Sequence, residues 1–393
     1  MRCIFLYLRK NKVISSFLIL LFLFNIRFFN IQYVFAQEEL ELTAPSFLLM
    51  ENSTGEILLE KNSRERRPMA SITKIMTMLL AMEEIDSGRL KYDDIITGSA
   101  YAKSMGGSTI FLDEGEQLTV TDIMKGIAVA SGNDAAVAMA EHISGSEESF
   151  VVKMNERAKQ LGMNDTNFVN CNGLDVEGHY SSAYDIAIMS RELLKHEDIH
   201  KFTTIWMDSL RDGEFTLSNT NKLIRFYDGA TGLKTGSTDD ALFCVSATAK
   251  RNNMHLIAVI MAAPTSKDRV SDASKILNYG FANYGIDSIC KIGDFVCNQK
   301  ISKGKKDFAQ LVAGNSFEIL VKKGEKSNVE QKIELKPNLV APIKKGDLAG
   351  KTVYYIDNKK VGECNIVFSE NIDKIGFPDV FMTLLRSWVS ARI

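Results

Sequence analysis

The sequence predicts an α+β protein in which a larger mixed domain is followed by a small all-β domain. Three observations support this class. Apolar residues recur at helical spacing through much of the first half of the chain. The runs 241–247 and 255–262 instead read as neighbouring strands. From about 290 to 374 the chain has short alternating runs between Gly and Asn turns, which is typical of an all-β domain.

Local patterns place the elements of the larger domain. Residues 46–50 and 56–60 read as two strands around a turn that ends at Gly55. A polar break at Ser131-Gly132-Asn133 divides one of the helical regions. The predicted helical regions are 71–84, 122–143, 148–161 and 184–194, with a closing helix at 271–284.

The N-terminus predicts an export signal. A basic start precedes an apolar run of 12 residues, Val13–Phe24, which is too short for an ordinary membrane span. The pattern that follows predicts cleavage after Ala36, which assigns residues 1–36 to a signal peptide. The alternative is an uncleaved anchor, because residues 25–35 extend the apolar stretch. Both interpretations predict that the body of the protein is exported.

Changes in composition divide the remaining chain into a larger domain at 43–286, a β-rich domain at 290–374 and a helical tail at 377–393. At helical spacing the tail is amphipathic, with apolar side chains on one face. These apolar residues are Val380, Phe381, Leu384, Leu385 and Trp388. A face rich in aromatic residues opposite Arg and Ser predicts a helix that lies on a membrane surface. The alternative is a helix that packs on its own domain.

Charge and cysteine content exclude several classes of protein. The formal net charge is −2 and the sequence pI is about 6.3, which argues against a nucleic-acid partner. Of the six cysteines, Cys3 falls in the predicted signal peptide, and the other five are odd in number and scattered. Such a set is not a disulfide framework, although Cys290 and Cys297 could pair. Nothing in the composition indicates a cofactor or a metal.

A Ser-x-x-Lys sequence at Ser71 and Lys74 opens a predicted apolar helix. Side chains three residues apart on a helix share one face, so the amine can reach the hydroxyl. A buried lysine has a depressed pKa and can therefore take the proton of a serine nucleophile. The unpaired N–H groups of a helix start also suit a developing oxyanion. The alternative role of Ser71 is that of a helix N-cap.

Two further triplets strengthen this hypothesis. Ser131-Gly132-Asn133 lies in the break between helical runs, where a hydroxyl and an amide can point into one cleft. Lys234-Thr235-Gly236 enters the predicted strand pair and offers a cation, a hydroxyl and a glycine that lets a substrate backbone approach. Each triplet alone occurs often by chance. Their order, and their positions at a helix start, a helix break and a strand, make the set a strong signal.

The three motifs resemble those of the penicillin-recognising serine enzymes, and more closely the low-molecular-mass D-alanyl-D-alanine carboxypeptidases. Further segments that carry the resemblance are Asn172-Gly173-Leu174-Asp175, 178–183, 219–223 and 227–229. The resemblance implies a β-lactamase/DD-peptidase-like domain, an antiparallel sheet flanked by helices, at 43–286. It also implies that the β-rich domain and the tail match the second domain and the membrane anchor of the family.

The resemblance implies a role for each motif residue. Ser71 is the nucleophile and Lys74 its general base, and Ser131 relays a proton while Asn133 shapes the site. The residues that bind substrate are Lys234, Thr235, Gly236, Ser237 and Arg269. Of these, Arg269 and Thr235 hold the terminal carboxylate, and the backbone N–H groups of Ser71 and Ser237 hold the oxyanion. The implied substrate is a peptidoglycan stem peptide that ends in D-Ala-D-Ala, and β-lactams are implied as covalent inhibitors.

Three rival interpretations remain. A serine β-lactamase is the first, but no Glu-x-x-Leu-Asn segment for deacylation lies between Asn133 and Lys234. A zinc protease is the second, because His196 and His200 form a His-Glu-x-x-His sequence, although the predicted helix ends just before it. A wall-binding relative without activity is the third. It is disfavoured because all the motif residues are present.

Overall fold

The computed structural model describes residues 40–324 and 328–390. Its strands, in chain order, are β1 Ser46–Glu51, β2 Ile57–Lys61, β3 Ile95–Thr97, β4 Gln117–Thr119, β5 Met207–Leu210, β6 Phe215–Ser218, β7 Ala230–Thr238, β8 Leu242–Arg251, β9 Met254–Ala263, β10 Tyr284–Cys290, β11 Phe295–Lys300, β12 Phe308–Ala313, β13 Phe317–Lys322, β14 Val329–Leu335, β15 Leu348–Ile356 and β16 Lys359–Phe368. Its helices are α1 Lys74–Asp86, α2 Ala100–Lys103, α3 Val120–Ala128, α4 Asn133–Ser144, α5 Glu147–Gln160, α6 Ala183–Leu193, α7 His200–Thr203, α8 Leu223–Phe226, α9 Ser266–Asn283 and α10 Phe377–Ser390.

A five-stranded antiparallel sheet organises the larger domain, with the strand order β2-β1-β9-β8-β7. Successive side chains of a strand face opposite sides of a sheet. Leu48 of β1 and Val259 of β9 belong to the main core, together with residues of α1 and α3 to α6. Leu49 and Leu256 face the other side, where Gly280 of α9 packs against both. The sheet is therefore covered by helices on both faces, which agrees with the expected antiparallel sheet flanked by helices.

The second part of the chain is all-β. A five-stranded sheet has the order β11-β12-β16-β15-β14, and β10 pairs separately with β13. Alternate residues of these strands form a small core of their own, which includes Leu311, Ile366 and Phe368. The prediction of a small all-β unit behind the mixed one is confirmed.

The C-terminal helix α10 exposes its apolar side chains, among them Phe377, Phe381, Leu384 and Trp388. Within the part of the chain that the structure describes, no helix is long and apolar enough to cross a membrane. The predicted signal peptide at 1–36 lies outside the described residues.

The structure corrects two details of the element prediction. The closing helix α9 begins at Ser266 rather than 271, because the Thr265 hydroxyl accepts a hydrogen bond from Asp268 N at 3.1 Å and caps it. The short hairpin of β5 with β6 was not predicted, since each strand has only four residues and lies in a polar stretch.

Candidate active site

Ser71 lies in a 3-10 turn, Ala70–Thr73, that leads directly into α1. The side chain of Ser71 is half-buried and makes no capping hydrogen bond for α1, whose N-cap residue is Thr73. The preceding residue, Ala70, has a φ of +49°, a left-handed conformation that is strained for alanine. The predicted position at a helix start is confirmed, whereas the alternative role as N-cap is wrong.

Lys74 is completely buried, and its Nζ atom has three partners. The nearest atoms are Asn133 Oδ1 and Asn172 O, each at 2.6 Å, and Ser71 Oγ at 3.0 Å. Burial lowers the pKa of Lys74 from its ordinary value to about 7. The nearby Cys171 and Asp134 raise this pKa, but by less than burial lowers it. The amine is therefore poised to exchange a proton with the Ser71 hydroxyl near neutral pH.

The carbonyl of Asn172 belongs to a loop that packs against the turn of Ser71. A Cβ atom on Gly173, whose φ is +90°, would lie 2.0 Å from Ala70 O, so only glycine fits there. The buried carboxylate of Glu147 accepts from Cys171 N at 2.9 Å and from Tyr101 at 2.7 Å. Glu147 thus positions the loop whose carbonyl binds Lys74.

The second motif lies between α3 and α4. Asn133 begins α4, and its Nδ2 donates to Gly106 O at 2.7 Å while its Oδ1 accepts from Lys74. The buried carboxylate of Asp134 accepts from Ile110 N and Leu112 N at 2.9 to 3.0 Å. These bonds fix the 106–112 segment against α4 and orient the Asn133 amide.

Ser131 and Lys234 form the other half of the cluster. Lys234 Nζ donates to Ser131 Oγ at 2.9 Å and to Thr235 O at 2.8 Å. Both side chains are buried, and Ser131 has a φ of +64°. Burial, and then the positive charges of Lys74 and Arg269, lower the pKa of Lys234 well below its ordinary value.

Strand β7 is an edge strand and lies against the turn of Ser71. A Cβ atom on Gly236 would lie 2.9 Å from Ser71 N, so the next residue, the exposed Ser237, follows directly after this close approach to Ser71. Thr235 Oγ1 donates to Thr220 Oγ1 at 2.7 Å. The Lys-Thr-Gly sequence therefore forms one wall of the cleft that holds Ser71.

Arg269, from the first turns of α9, is buried behind this wall. Its Nη1 donates to Gly236 O at 3.2 Å and to Cys244 O at 3.3 Å, and its Nη2 donates to Ser266 Oγ at 3.3 Å. Its buried Nε has no protein partner. The guanidinium thus supports the backbone of β7 and places a positive charge beneath the Lys-Thr-Gly sequence.

The two histidines of the His-Glu-x-x-His sequence are engaged separately. His196 precedes a 3-10 turn, and its Nδ1 lies 2.6 Å from Asp86 Oδ2. His200 begins the four-residue helix α7, and its Nδ1 lies 3.4 Å from Thr231 O. Within residues 40–324 and 328–390, no group of three His, Cys, Asp or Glu side chains is arranged to hold a metal. The one stable helix that a zinc site requires is not formed here.

The structure thus brings all three predicted motifs to one cleft. Sequence reasoning assigned no role there to Glu147, Asp134 or Thr220. The signal available for Asp134 was its position directly after the Ser-Gly-Asn triplet. No local pattern marks Glu147, since its partners are distant in sequence. Thr220 lies in the segment 219–223 that carries the resemblance, but its contact with Thr235 could not be read from that segment alone.

Two family profiles match the chain. The profile described as D-alanyl-D-alanine carboxypeptidase covers residues 33–265, and the one described as the C-terminal domain of penicillin-binding protein 5 covers residues 287–374. The chain belongs to the D-alanyl-D-alanine carboxypeptidase family. It is a serine-type D-alanyl-D-alanine carboxypeptidase of the penicillin-binding group, as the motifs predicted.

Individual relatives agree with this assignment. The chain is 48% identical to the D-alanyl-D-alanine carboxypeptidase DacF of Bacillus subtilis (strain 168) over 90% of this chain and 92% of that protein. Penicillin-binding protein 5 from Haemophilus influenzae is 34% identical with a TM-score of 0.70, over 85% of this chain and 98% of that one. Penicillin-binding protein D2 from Listeria monocytogenes, in an ampicillin-bound form, is 31% identical with a TM-score of 0.54. That match covers 62% of this chain and 99% of the Listeria protein.

Proposed function

We propose that Ser71 carries out the carboxypeptidase reaction as a nucleophile activated by Lys74. The observation that supports this most directly is the set of partners around Lys74 Nζ. Asn133 Oδ1 and Asn172 O can only accept hydrogen bonds, so they take the two N–H groups of a neutral amine. The lone pair then faces Ser71 Oγ, the one of the three partners that can donate a proton.

In the acylation step, Lys74 takes the hydroxyl proton of Ser71. The Ser71 Oγ attacks the carbonyl carbon of the penultimate D-alanine, and the developing oxyanion accepts from the backbone N–H groups of Ser71 and Ser237. The close approach of Gly236 to Ser71 N supports this pairing, because it sets the two N–H groups on adjoining walls of the cleft.

Collapse of the tetrahedral intermediate breaks the peptide C–N bond and requires a proton on the leaving nitrogen. Ser131 supplies it. Since Lys234 donates to Ser131 Oγ, the Ser131 hydroxyl hydrogen is left to point elsewhere. D-alanine then departs, and water attacks the Ser71 ester while its proton returns through Ser131 to Lys234. The protonated Lys74 returns its proton to Ser71 Oγ as the acyl bond breaks, and the shortened peptide leaves with its new carboxyl group.

The substrate carboxylate is held at β7. Thr235 offers a hydroxyl, and Lys234 and Arg269 contribute positive charge near the backbone of Thr235 and Gly236. A carboxylate is the anion that a guanidinium recognises well. Lys234, Thr235, Gly236, Ser237 and Arg269 together form this proposed substrate-binding wall.

The test uses benzylpenicillin and a peptide that ends in D-Ala-D-Ala with the same enzyme preparation. Mass spectrometry is expected to find a penicilloyl group on Ser71, and the peptide is expected to release free D-alanine. Ser71→Ala should lose both signals, whereas Ser302→Ala, an exposed serine of the β-rich part, should keep both. Turnover of benzylpenicillin many times per second would favour the β-lactamase alternative instead.

We also propose that the enzyme acts on peptidoglycan at the outer face of the cytoplasmic membrane, with α10 on the membrane surface. The N-terminal export pattern supports the location, as does a substrate class that occurs only in the cell wall. The exposure of 82% for Phe377 and 60% for Trp388 supports the membrane contact. The alternative is a helix that packs on its own domain.

Binding to lipid vesicles tests the role of α10. The chain without the predicted signal peptide 1–36 should sediment with anionic vesicles, and a variant of it that also lacks residues 377–393 should stay in solution. Release of D-alanine from a soluble peptide should be equal for the two proteins. Equal sedimentation of both would rule out the membrane role and leave the carboxypeptidase assignment intact.

A further inference from the structure

Two buried thiols of the β-rich part lie beside one another. Cys290 ends β10 and Cys364 lies in β16. Both sulfur atoms donate to the same carbonyl, Asn315 O, at 3.7 Å from Cys290 Sγ and 2.8 Å from Cys364 Sγ. Burial, and to a smaller extent the neighbouring Cys290 thiol, raises the pKa of Cys364 to about 11. The two thiols therefore converge on one carbonyl oxygen within one small core cluster, although the two residues are far apart in the chain.

The surrounding packing places the two cysteines on facing sheets. Phe317 of β13 is the register partner of Cys290, and its ring stacks on Tyr354 of β15 at 4.9 Å. A Cβ atom on Gly362 would lie 2.1 Å from that ring. Gly362 is two residues before Cys364, so both face the same side of β16. The small β10–β13 sheet thus packs directly on the larger sheet at the cysteine pair.

We propose that Cys290 and Cys364 form a disulfide in the exported protein, with a small-molecule or protein disulfide outside the cytoplasm as the oxidant. One cysteine thiolate attacks the disulfide of the oxidant, which forms a mixed disulfide and releases one thiol. The second cysteine thiolate then attacks the mixed disulfide and releases the other thiol. The protein loses two S–H bonds and gains one S–S bond, and two electrons and two protons pass to the oxidant.

The other cysteines serve as internal references. Cys171 and Cys244 are buried in the larger domain, and Cys297 is partly exposed on β11. The sequence left open a pairing of Cys290 with Cys297, whereas in the structure the neighbour of Cys290 is Cys364. Because the pair is buried and the Cys364 thiol resists ionisation, the bond should form during folding rather than afterwards.

The proposed disulfide joins β10 to β16, so the chain between Cys290 and Cys364 becomes a closed loop. Such a link restricts the unfolded chain and stabilises the folded one. It would fix the β10–β13 sheet, which directly follows α9, against the five-stranded sheet. The proposal depends on export but not on the roles proposed for Ser71 or Lys74.

The test maps the cysteines of the full chain after refolding with reduced and oxidised glutathione. Free thiols are blocked with N-ethylmaleimide in denaturant, and the digest is analysed by mass spectrometry. We expect a linked peptide pair that contains Cys290 and Cys364, with Cys171, Cys244 and Cys297 blocked. Reductant should lower the thermal midpoint of the wild type and of Cys297→Ser, but should not shift that of Cys364→Ser.

Blocked thiols at both Cys290 and Cys364 in the refolded wild type would overturn the proposal, as would a link from either residue to Cys297. These two results come from the wild type, so they decide the question even if Cys364→Ser does not fold. The carboxypeptidase activity of the same sample is measured alongside, which separates this proposal from the one for Ser71.

Discussion

The Nζ atom of Lys74 lies 3.0 Å from the Oγ atom of Ser71, with its other two hydrogen-bond partners both carbonyl oxygens. In the proposed mechanism, the protonation state of Lys74 therefore determines whether Ser71 is activated. A protonated amine donates to all three partners, whereas a neutral amine keeps its lone pair for the serine hydroxyl.

The rate of acylation should therefore depend on pH in a defined direction. Burial lowers the pKa of Lys74 to about 7, so the amine is protonated and inactive as a base below that value and neutral above it. We expect the rate of penicillin acylation, measured by stopped-flow fluorescence, to rise with pH through about 7. A profile that stays flat across neutral pH would contradict the role of Lys74.

Lys74→Arg should remove this base, because a guanidinium remains protonated in proteins. We expect a loss of acylation rate of about 10²–10⁴-fold, the range typical of general-base catalysis. Lys61→Arg, an exposed position on β2, is the matched control and should leave the rate unchanged. Near-normal acylation by Lys74→Arg would show that another group takes the proton.

Ser131→Ala removes the hydroxyl that accepts from Lys234 at 2.9 Å. An amine leaving group needs a proton at the moment of bond cleavage, so we expect D-alanine release to fall by about 10²-fold or more. Ser302→Ala is the control on an exposed site. The measurement compares kcat and KM. A rise in KM alone would assign Ser131 to binding rather than to proton transfer.

Gly173→Ala tests how the Asn172 loop positions the nucleophile. A methyl group at 173 meets Ala70 O, so the turn that carries Ser71 must move. A displacement of about 1 Å can cost about 10²-fold in rate. Gly162→Ala is the matched control. Alanine at its φ of +76° is strained to a similar degree, but the added Cβ atom has no other atom within 4 Å. Equal acylation rates and equal thermal midpoints for the two variants would contradict the positioning role.

Arg269→Met tests the recognition of the substrate carboxylate. A charge-assisted hydrogen bond contributes about 1.5–3 kcal/mol, which corresponds to roughly a 10- to 100-fold preference. The preference is measured as kcat/KM for a peptide with a free terminal carboxylate divided by kcat/KM for the matching peptide amide. We expect this ratio to be roughly 10- to 100-fold lower in the variant than in the wild type. An equal loss with both substrates would mean that Arg269 acts only through its bonds to Gly236 O and Cys244 O.

The sequence by itself determined the features that depend on local spacing. Ser71 and Lys74 are three residues apart at a helix start, so the spacing predicted that their side chains share one face. The helix break at Ser131 was predicted from local composition, and so was the change to alternating runs after 290. The membrane-facing role of α10 and the domain boundaries stay predictions, because no contact between described residues tests them.

Only the tertiary structure decided the features that depend on distant parts of the chain. Lys74 donates a hydrogen bond to Asn172 O, which lies 98 residues further along the chain. Lys234 donates to Ser131 Oγ, and these two residues are 103 positions apart. The same holds for Cys290, whose neighbour is Cys364 rather than the nearer Cys297. Sequence spacing predicts contacts within a helix or a strand, whereas contacts between elements depend on how the sheets and helices pack.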